Sequence, residues 1–123
     1  MLKKAALVFG IVFVLVGILG FIPGITTGDH MLLGIFHVNA VHNVIHLLSG
    51  AIALWVSQTS YSASKTYFMV FGIIYLLVAI LGFVYGDKNI LGIVSSNMAD
   101  TWLHVVIAVA ALALGFAGPA EEA

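Results

Sequence analysis

The sequence predicts an all-α fold: a bundle of four transmembrane helices built from two tandem helical hairpins in the same orientation. Three observations predict it. Hydrophobic residues make up 63% of the 123-residue chain and charged residues only 7%, against roughly 45–50% and about 25% in soluble domains. Four basic and five acidic side chains are too few to cover the surface that a soluble fold of this length leaves in water. The apolar residues also gather into four runs, and four spans of about 20 residues each fit the chain length. Finally, the chain repeats itself.

FGIVFVLVGILGFIPG (9–24) aligns without gaps on FGIIYLLVAILGFVYG (71–86), with ten of sixteen positions identical. LGIFHVNAVHNVIHL (33–47) then aligns on LGIVSSNMADTWLHV (91–105), placing Leu33, Gly34, Ile35, Asn39 and His46 on Leu91, Gly92, Ile93, Asn97 and His104. Apolar helices resemble one another by composition alone, but Gly, Asn and His in register do not. The offset falls from 62 to 58, so the second connecting loop is four residues shorter. Two spans per half return the chain to its starting side. The halves 1–62 and 63–123 are therefore expected to share one orientation within a single integral-membrane domain, 1–123. A pseudo-two-fold axis along the membrane normal should relate them.

The first span is expected from about Ala5 to Ile22, stopping at Pro23-Gly24. Its basic start and apolar run look like a secretory signal. No A-x-A cleavage site comes after it, however, and the run recurs in the third helix, so it reads as a span. The second span starts with Asn39 as N-cap and runs to about Ser57, succeeded by a polar loop, 58–65. The third covers about Thr66 to Tyr85. The fourth starts with Asn97 as cap and ends near Gly118-Pro119, with Asp100 at the third helical position complementing the free amides and the positive helix end. The stretches before the two caps, 30–38 and 88–96, read as short interfacial segments or as extra helical turns.

Lys3, Lys4 and Lys65 fall on the side holding both termini. Only Lys88 falls opposite, with Asp29 and Asp87, which predicts cytoplasmic termini in the cell (inner) membrane. Trp55, Tyr61 and Tyr67 would then mark the inner interface, and Tyr85 and Trp102 the outer one. Gly10, Gly17 and Gly24 recur every seven residues, with Gly20 between; Gly72, Ala79 and Gly86 repeat the pattern, with Gly82 between. Small residues on one stripe let helices approach closely in lipid, and a seven-residue period favours a left-handed crossing.

The second and fourth helices carry the polar groups. Asn39, His42, His46, Ser49, Gly50, Ala53 and Ser57 share one face, matched by Asn97, Asp100, His104, Ala108, Ala111 and Gly115. Such faces avoid lipid and must point into the bundle. Seven residues from each cap puts His46 and His104 roughly 10 Å into the apolar layer. Asn43 lies beside this stripe, and Tyr75, near mid-membrane, is placed to donate to one of the histidines. Its counterpart in the first half is Phe13, so the site cannot be fully symmetric.

The string G-F-x-P-G-x-T-T (20–27), LLGIFHVNAVHNVIHLLSG (32–50) and D-x-W-L-H (100–104) together resemble a widespread family of small bacterial membrane proteins catalogued as a domain of unknown function. The N-x-x-H-N-x-x-H element at Asn39, His42, Asn43 and His46 is the most specific part. His37 departs from the pattern, standing where a small or apolar residue is expected. The resemblance covers nearly the whole chain and implies four membrane helices. It implies no activity.

The buried polar residues admit three readings. In the first, His42, His46, Asp100 and His104 form an interhelical hydrogen-bond cluster in a non-enzymatic structural or accessory subunit. In the second they are ligands of a transition metal: His42 and His46 are i, i+4 on one face, and Asp100 with His104 is the symmetry-related pair. In the third, His46 and His104 are the axial ligands of a b-type haem, although no arginine is present to meet its propionates. A small multidrug exporter would resemble a pattern with an acidic residue in the first helix, and Ala5 to Ile22 has none.

Other classes are excluded more firmly. There is no basic patch for nucleic acid, no cysteine for thiolate chemistry, and neither a G-x-S-x-G nor a P-loop element. His30 and His37 are assigned to the solvated or interfacial outer loop. Besides the lipid bilayer, a second copy of the chain or a larger membrane complex is the expected partner, since so little mass lies outside the membrane.

Overall fold

The computed structural model describes residues 1–27 and 30–118. Its elements, in chain order, are α1 (Leu2–Leu19), β1 (Met31–Leu32), β2 (Phe36–His37), α2 (Ala40–Ser57), α3 (Tyr61–Tyr85) and α4 (Met98–Ala117). All four helices are long and apolar enough to cross a membrane. The protein is a multi-pass membrane protein of the all-α, four-helix-bundle class. Leu15, Leu48, Leu77 and Val106 are among the many large apolar side chains that face outward, where lipid rather than water is their solvent.

Leu2 and Ala6 of α1 pack into one core cluster with Ala53 and Val56 of α2, Tyr67 and Phe68 of α3, and Ala111 of α4. The start of α1, the end of α2, the start of α3 and the end of α4 therefore meet at one end of the bundle. Sequential helices run antiparallel, and the described ends of the chain, Met1 and Gly118, lie at that end.

The small-residue stripes face within each hairpin, except at Gly24 and Gly86, which lie past the helix ends at positive φ with open space where a side chain would stand. A Cβ placed on Gly10 would meet Leu54 and the Gly50 carbonyl, and one on Gly17 would meet Leu47 and the Asn43 carbonyl. On Gly20 it would strike the Asn43 amide. In the second hairpin Gly72 faces Leu112 and Gly82 faces Thr101, and Ala79 is buried. Gly50 and Gly115 return the contact from the other side, against Val14 and Met69. Close backbone approach thus binds α1 to α2 and α3 to α4.

Several boundaries differ from expectation. The first helix starts three residues earlier, at Leu2, and its last regular turn closes at Leu19 before two further turn bonds, Phe21 N to Ile18 O and Ile22 N to Leu19 O. The third starts at Tyr61, because the Ser60 side chain accepts from the Ala63 amide and caps it there. The polar loop accordingly shrinks to residues 58–60. Tyr67 is not an interfacial belt residue: it is buried, and its hydroxyl donates to the Ser49 carbonyl at 3.0 Å. Trp55 and Trp102 do face outward. Asp29 and Pro119 lie outside the described residues.

The segment at 30–38 is not an extra turn of the helix. It is a small antiparallel hairpin in which Met31 pairs with His37 and Leu32 with Phe36. Its turn requires two left-handed residues, Leu33 (φ 54°) and Gly34 (φ 70°), and the second half repeats this at Leu91 (φ 52°) and Gly92 (φ 71°). Matching turn bonds hold both, Ile35 N to Leu32 O and Ile93 N to Ile90 O, each 3.0 Å. A leucine at positive φ is costly, and two such residues in succession cannot extend a right-handed helix.

Candidate functional site: three histidines between the hairpins

The site hangs from the two helix caps. Asn39 Oδ1 accepts from the His42 amide at 2.9 Å, and Asn97 Oδ1 accepts from the Asp100 amide at 2.9 Å. Each asparagine directs its side-chain donor to the opposite half. Asn39 Nδ2 donates to the Ile93 carbonyl and Asn97 Nδ2 to the Ile35 carbonyl, both at 2.9 Å. Ile35 and Ile93 are aligned positions of the repeat, so the two halves exchange the same bond. Both asparagines act as expected and also do something the sequence did not reveal: they clamp the hairpins together.

Two helical turns below the caps, His46 and His104 face each other with ring centroids 6.2 Å apart. His42 completes the group, 5.0 Å from His46 and 5.7 Å from His104 by ring centroid. All three are buried. One nitrogen from each lies within 4.8 Å of the others. His42 Nδ1 is 3.2 Å from the His37 carbonyl oxygen. A carbonyl only accepts, so in the neutral tautomer that makes this bond Nδ1 carries the proton and Nε2 presents its lone pair to the cluster. His46 Nε2 lies 3.2 Å from that lone pair's nitrogen. Among the described residues, His46 Nδ1 and His104 Nδ1 are buried without a hydrogen-bond partner.

Asp100 does not join the set of converging nitrogens. It is buried, and its carboxylate accepts from the Asn97 backbone amide at 3.1 Å, completing a capping box. The third helical position offers a carboxylate the otherwise unsatisfied amide of the cap residue. The aligned His42 reaches back to a loop carbonyl instead. Aligned residues thus take different roles, and the cluster becomes three imidazoles with one carboxylate beside it.

Tyr75 is close to the group, its ring 5.6 Å from that of His104 and 6.5 Å from that of His46. Its hydroxyl, however, shares a hydrogen bond with Ser49 Oγ at 2.9 Å rather than with a histidine. Phe13 occupies the equivalent place beside His46, at 5.3 Å, and packs edge-on against Tyr75 at 5.6 Å. Asn43 packs against Gly20 and stays out of the cluster. Neither the Ser49–Tyr75 pairing nor the role of the His37 carbonyl is predicted by the residue pattern. The polar stripe holding Ser49 is a usable signal for the first; backbone groups leave none for the second.

Three neutral imidazoles suit zinc, copper or iron. A tetrahedral centre with bonds of about 2.0–2.1 Å has ligand–ligand edges of about 3.3 Å, close to the 3.2 Å between His42 Nε2 and His46 Nε2. Haem fits less well. The cavities touching the cluster are about 130 and 190 Å³, whereas pockets for organic ligands of even drug size are about 300 Å³ or more. The His42 ring also stands beside both rings that would carry the iron.

Comparison with curated proteins and with solved structures returns no match. A family model does match, over residues 3–117, which takes in all the residues of the cluster and both asparagine clamps. The chain therefore belongs to the family described as a domain of unknown function, DUF4383.

Proposed function

We propose that this protein binds a transition-metal ion inside the membrane through His42, His46 and His104, with both termini on the cytoplasmic side of the cell membrane. The observation that carries the reading is the convergence of three buried ligating nitrogens within 4.8 Å. The tautomer of His42 supports it, because its bond to the His37 carbonyl both orients the ring and directs Nε2 inward, the usual arrangement behind a metal-bound histidine. Asp100 lines the same cavity as His42 and His46 and supplies a carboxylate near a cation that would otherwise be costly to bury. The lysine distribution supports the orientation.

Elemental analysis of protein purified without chelator tests this. The expected result is one zinc, copper or iron per chain, lost in His46→Ala and in His104→Ala and retained in His30→Ala. A metal-free wild type that takes up no added ion would overturn the reading.

A second reading is favoured by a different observation: the His104 ring packs across the two halves against the rings of His42 and His46, at centroid distances of 5.7 and 6.2 Å. In that case the cluster holds two hairpins in register in a non-enzymatic accessory subunit, alone or as a homo-oligomer. The same measurement separates the two.

A further inference from the structure

The two cavities beside the histidines occupy the two seams between the hairpins. One, about 130 Å³, lies between α2 and α3 and is lined by Ile45, Phe71, Ile74, Val78, Ile90 and Val94 in addition to polar residues. The other, about 190 Å³, lies between α1 and α4. Its lining includes Leu103, Val16, Leu32 and Phe36, which align with Ile45, Val78, Ile90 and Val94 of the first. The seams are one opening built twice, and they differ in their polar walls. The larger holds Asn43 and Asp100, and the smaller holds His104 with the Ser49–Tyr75 pair.

The smaller cavity has the character of a ligand site. At its rim Ile45 and Ile74 are 39% and 43% exposed, and at this depth exposure means contact with acyl chains. Its floor is the histidine cluster. An apolar cavity of about 150 Å³ holds benzene; this one, at about 130 Å³ and open to lipid at its rim, is sized for nothing larger than a single ring. Among the described residues no carboxylate or ammonium group lines it, and entry through hydrocarbon excludes ions. Ser49 and Tyr75 bring two O–H groups to one mutual bond, which leaves one O–H to donate. A pure hydrocarbon would leave that donor unused.

We infer that the α2–α3 cavity is the binding site of an uncharged, single-ring molecule of the phenol class, admitted sideways from the lipid, whose oxygen faces His46, His104 and Tyr75. This rests on the metal reading for its role, since His42, His46 and His104 would hold the ion beside the cavity that admits the oxygen. The occupancy of the cavity can be measured with or without the ion.

4-Fluorophenol is the probe, monitored by fluorine NMR on the full chain in nanodiscs, with empty nanodiscs as the blank. Saturable binding is expected, at least ten-fold weaker in Ile74→Trp, which fills the rim, and unchanged in Leu77→Trp, which adds the same bulk to an outward position. Loading with Co(II) should broaden the bound fluorine signal, while Ile74→Trp takes up as much cobalt as the wild type. Absence of saturable binding in protein carrying a full complement of cobalt would overturn the ligand site and leave the metal reading standing. Saturable binding in protein that takes up no cobalt would do the reverse. Equal binding by wild type and Ile74→Trp would overturn the placement of the site in this seam.

Discussion

A methyl group added at Gly17 or Gly82 should cost more stability than removing most of a leucine from the outer surface. At Gly17 the new Cβ lands 2.7 Å from Leu47 Cγ and 3.0 Å from the Asn43 carbonyl oxygen. The leucine can rotate away, but the carbonyl belongs to the backbone of α2 and cannot. At Gly82 the obstacle is Thr101, whose hydroxyl would have to vacate the space and give up its bond to the Asn97 carbonyl. Carbon atoms prefer about 3.5–4.0 Å, so each helix must retreat by up to about 1 Å, and gaps of that size forfeit a quarter to a half of each neighbouring contact. Overpacking of this kind costs about 1–3 kcal/mol. The gain in helix propensity on leaving glycine, about 1 kcal/mol in water, offsets little here, because a membrane span stays helical even when its partner separates. Gly17→Ala and Gly82→Ala should therefore lose about 1–2 kcal/mol, and the corresponding leucine variants more. Leu48 and Leu77 are 58% and 56% exposed and face lipid, so Leu48→Ala and Leu77→Ala should stay within about 0.5 kcal/mol. Thermal unfolding in a mild detergent reads the difference as midpoint shifts. Equal midpoints for all four alanine variants would show that the glycine stripes do not set the helix contacts.

Cysteine labelling with an impermeant reagent checks the topology: Lys3→Cys and Ser62→Cys should both be protected in intact cells and Lys88→Cys should react, and opposite behaviour of positions 3 and 62 would be incompatible with the bundle. Asn39→Ala and Asn97→Ala each remove a cap, worth about 1 kcal/mol, and one bond between the halves, worth about 0.6 kcal/mol in a membrane. Asn39→Asp should recover only the capping part, a distinction visible in the same unfolding assay. Asp100→Asn should retain the bound metal while His46→Ala loses it; loss of the ion in Asp100→Asn would place the carboxylate among the ligands.

The parts of this structure that are legible in the sequence are those governed by local spacing. Asn39 and Asn97 cap helices through amides only three residues further along the chain. Counting seven residues onward from each places His46 and His104 at one depth. The glycine stripes announce their partners because a missing side chain means a near neighbour. The hidden parts depend on contacts between distant segments or on competition for one partner. Asp100 and His42 align, yet the capping amide claims one and a loop carbonyl the other. Tyr75 is within reach of the histidines, but its hydroxyl pairs with Ser49 instead. The hairpin at Met31–His37 escapes notice because its turn uses a leucine at positive φ, a choice that residue preferences argue against. The early start of α3 is readable from Ser60, since serine is a favoured N-cap.

The crossed asparagine bonds join positions 54 and 62 residues apart, and they have a consequence for how the bundle finds its depth in the bilayer. Within each hairpin the two helices are bound by glycine contacts, while the largely apolar faces between the hairpins are held in register by the polar bonds that cross them, the asparagine pair at the rim and Tyr67 and Tyr75 on Ser49 in the interior. A slip of one turn, about 5.4 Å, would break both exchanged bonds at once and strand two amide donors and two carbonyls at the rim. The sliding coordinate therefore has discrete stops rather than a slope. Because His46 and His104 each sit seven residues below an asparagine, the rim works as a ruler for the interior: the height of the imidazoles is set about 10 Å away, by residues that never touch whatever the imidazoles hold. A mutation at Asn39 or Asn97 should thus be felt first as blurred alignment of the histidines, before the helices come apart.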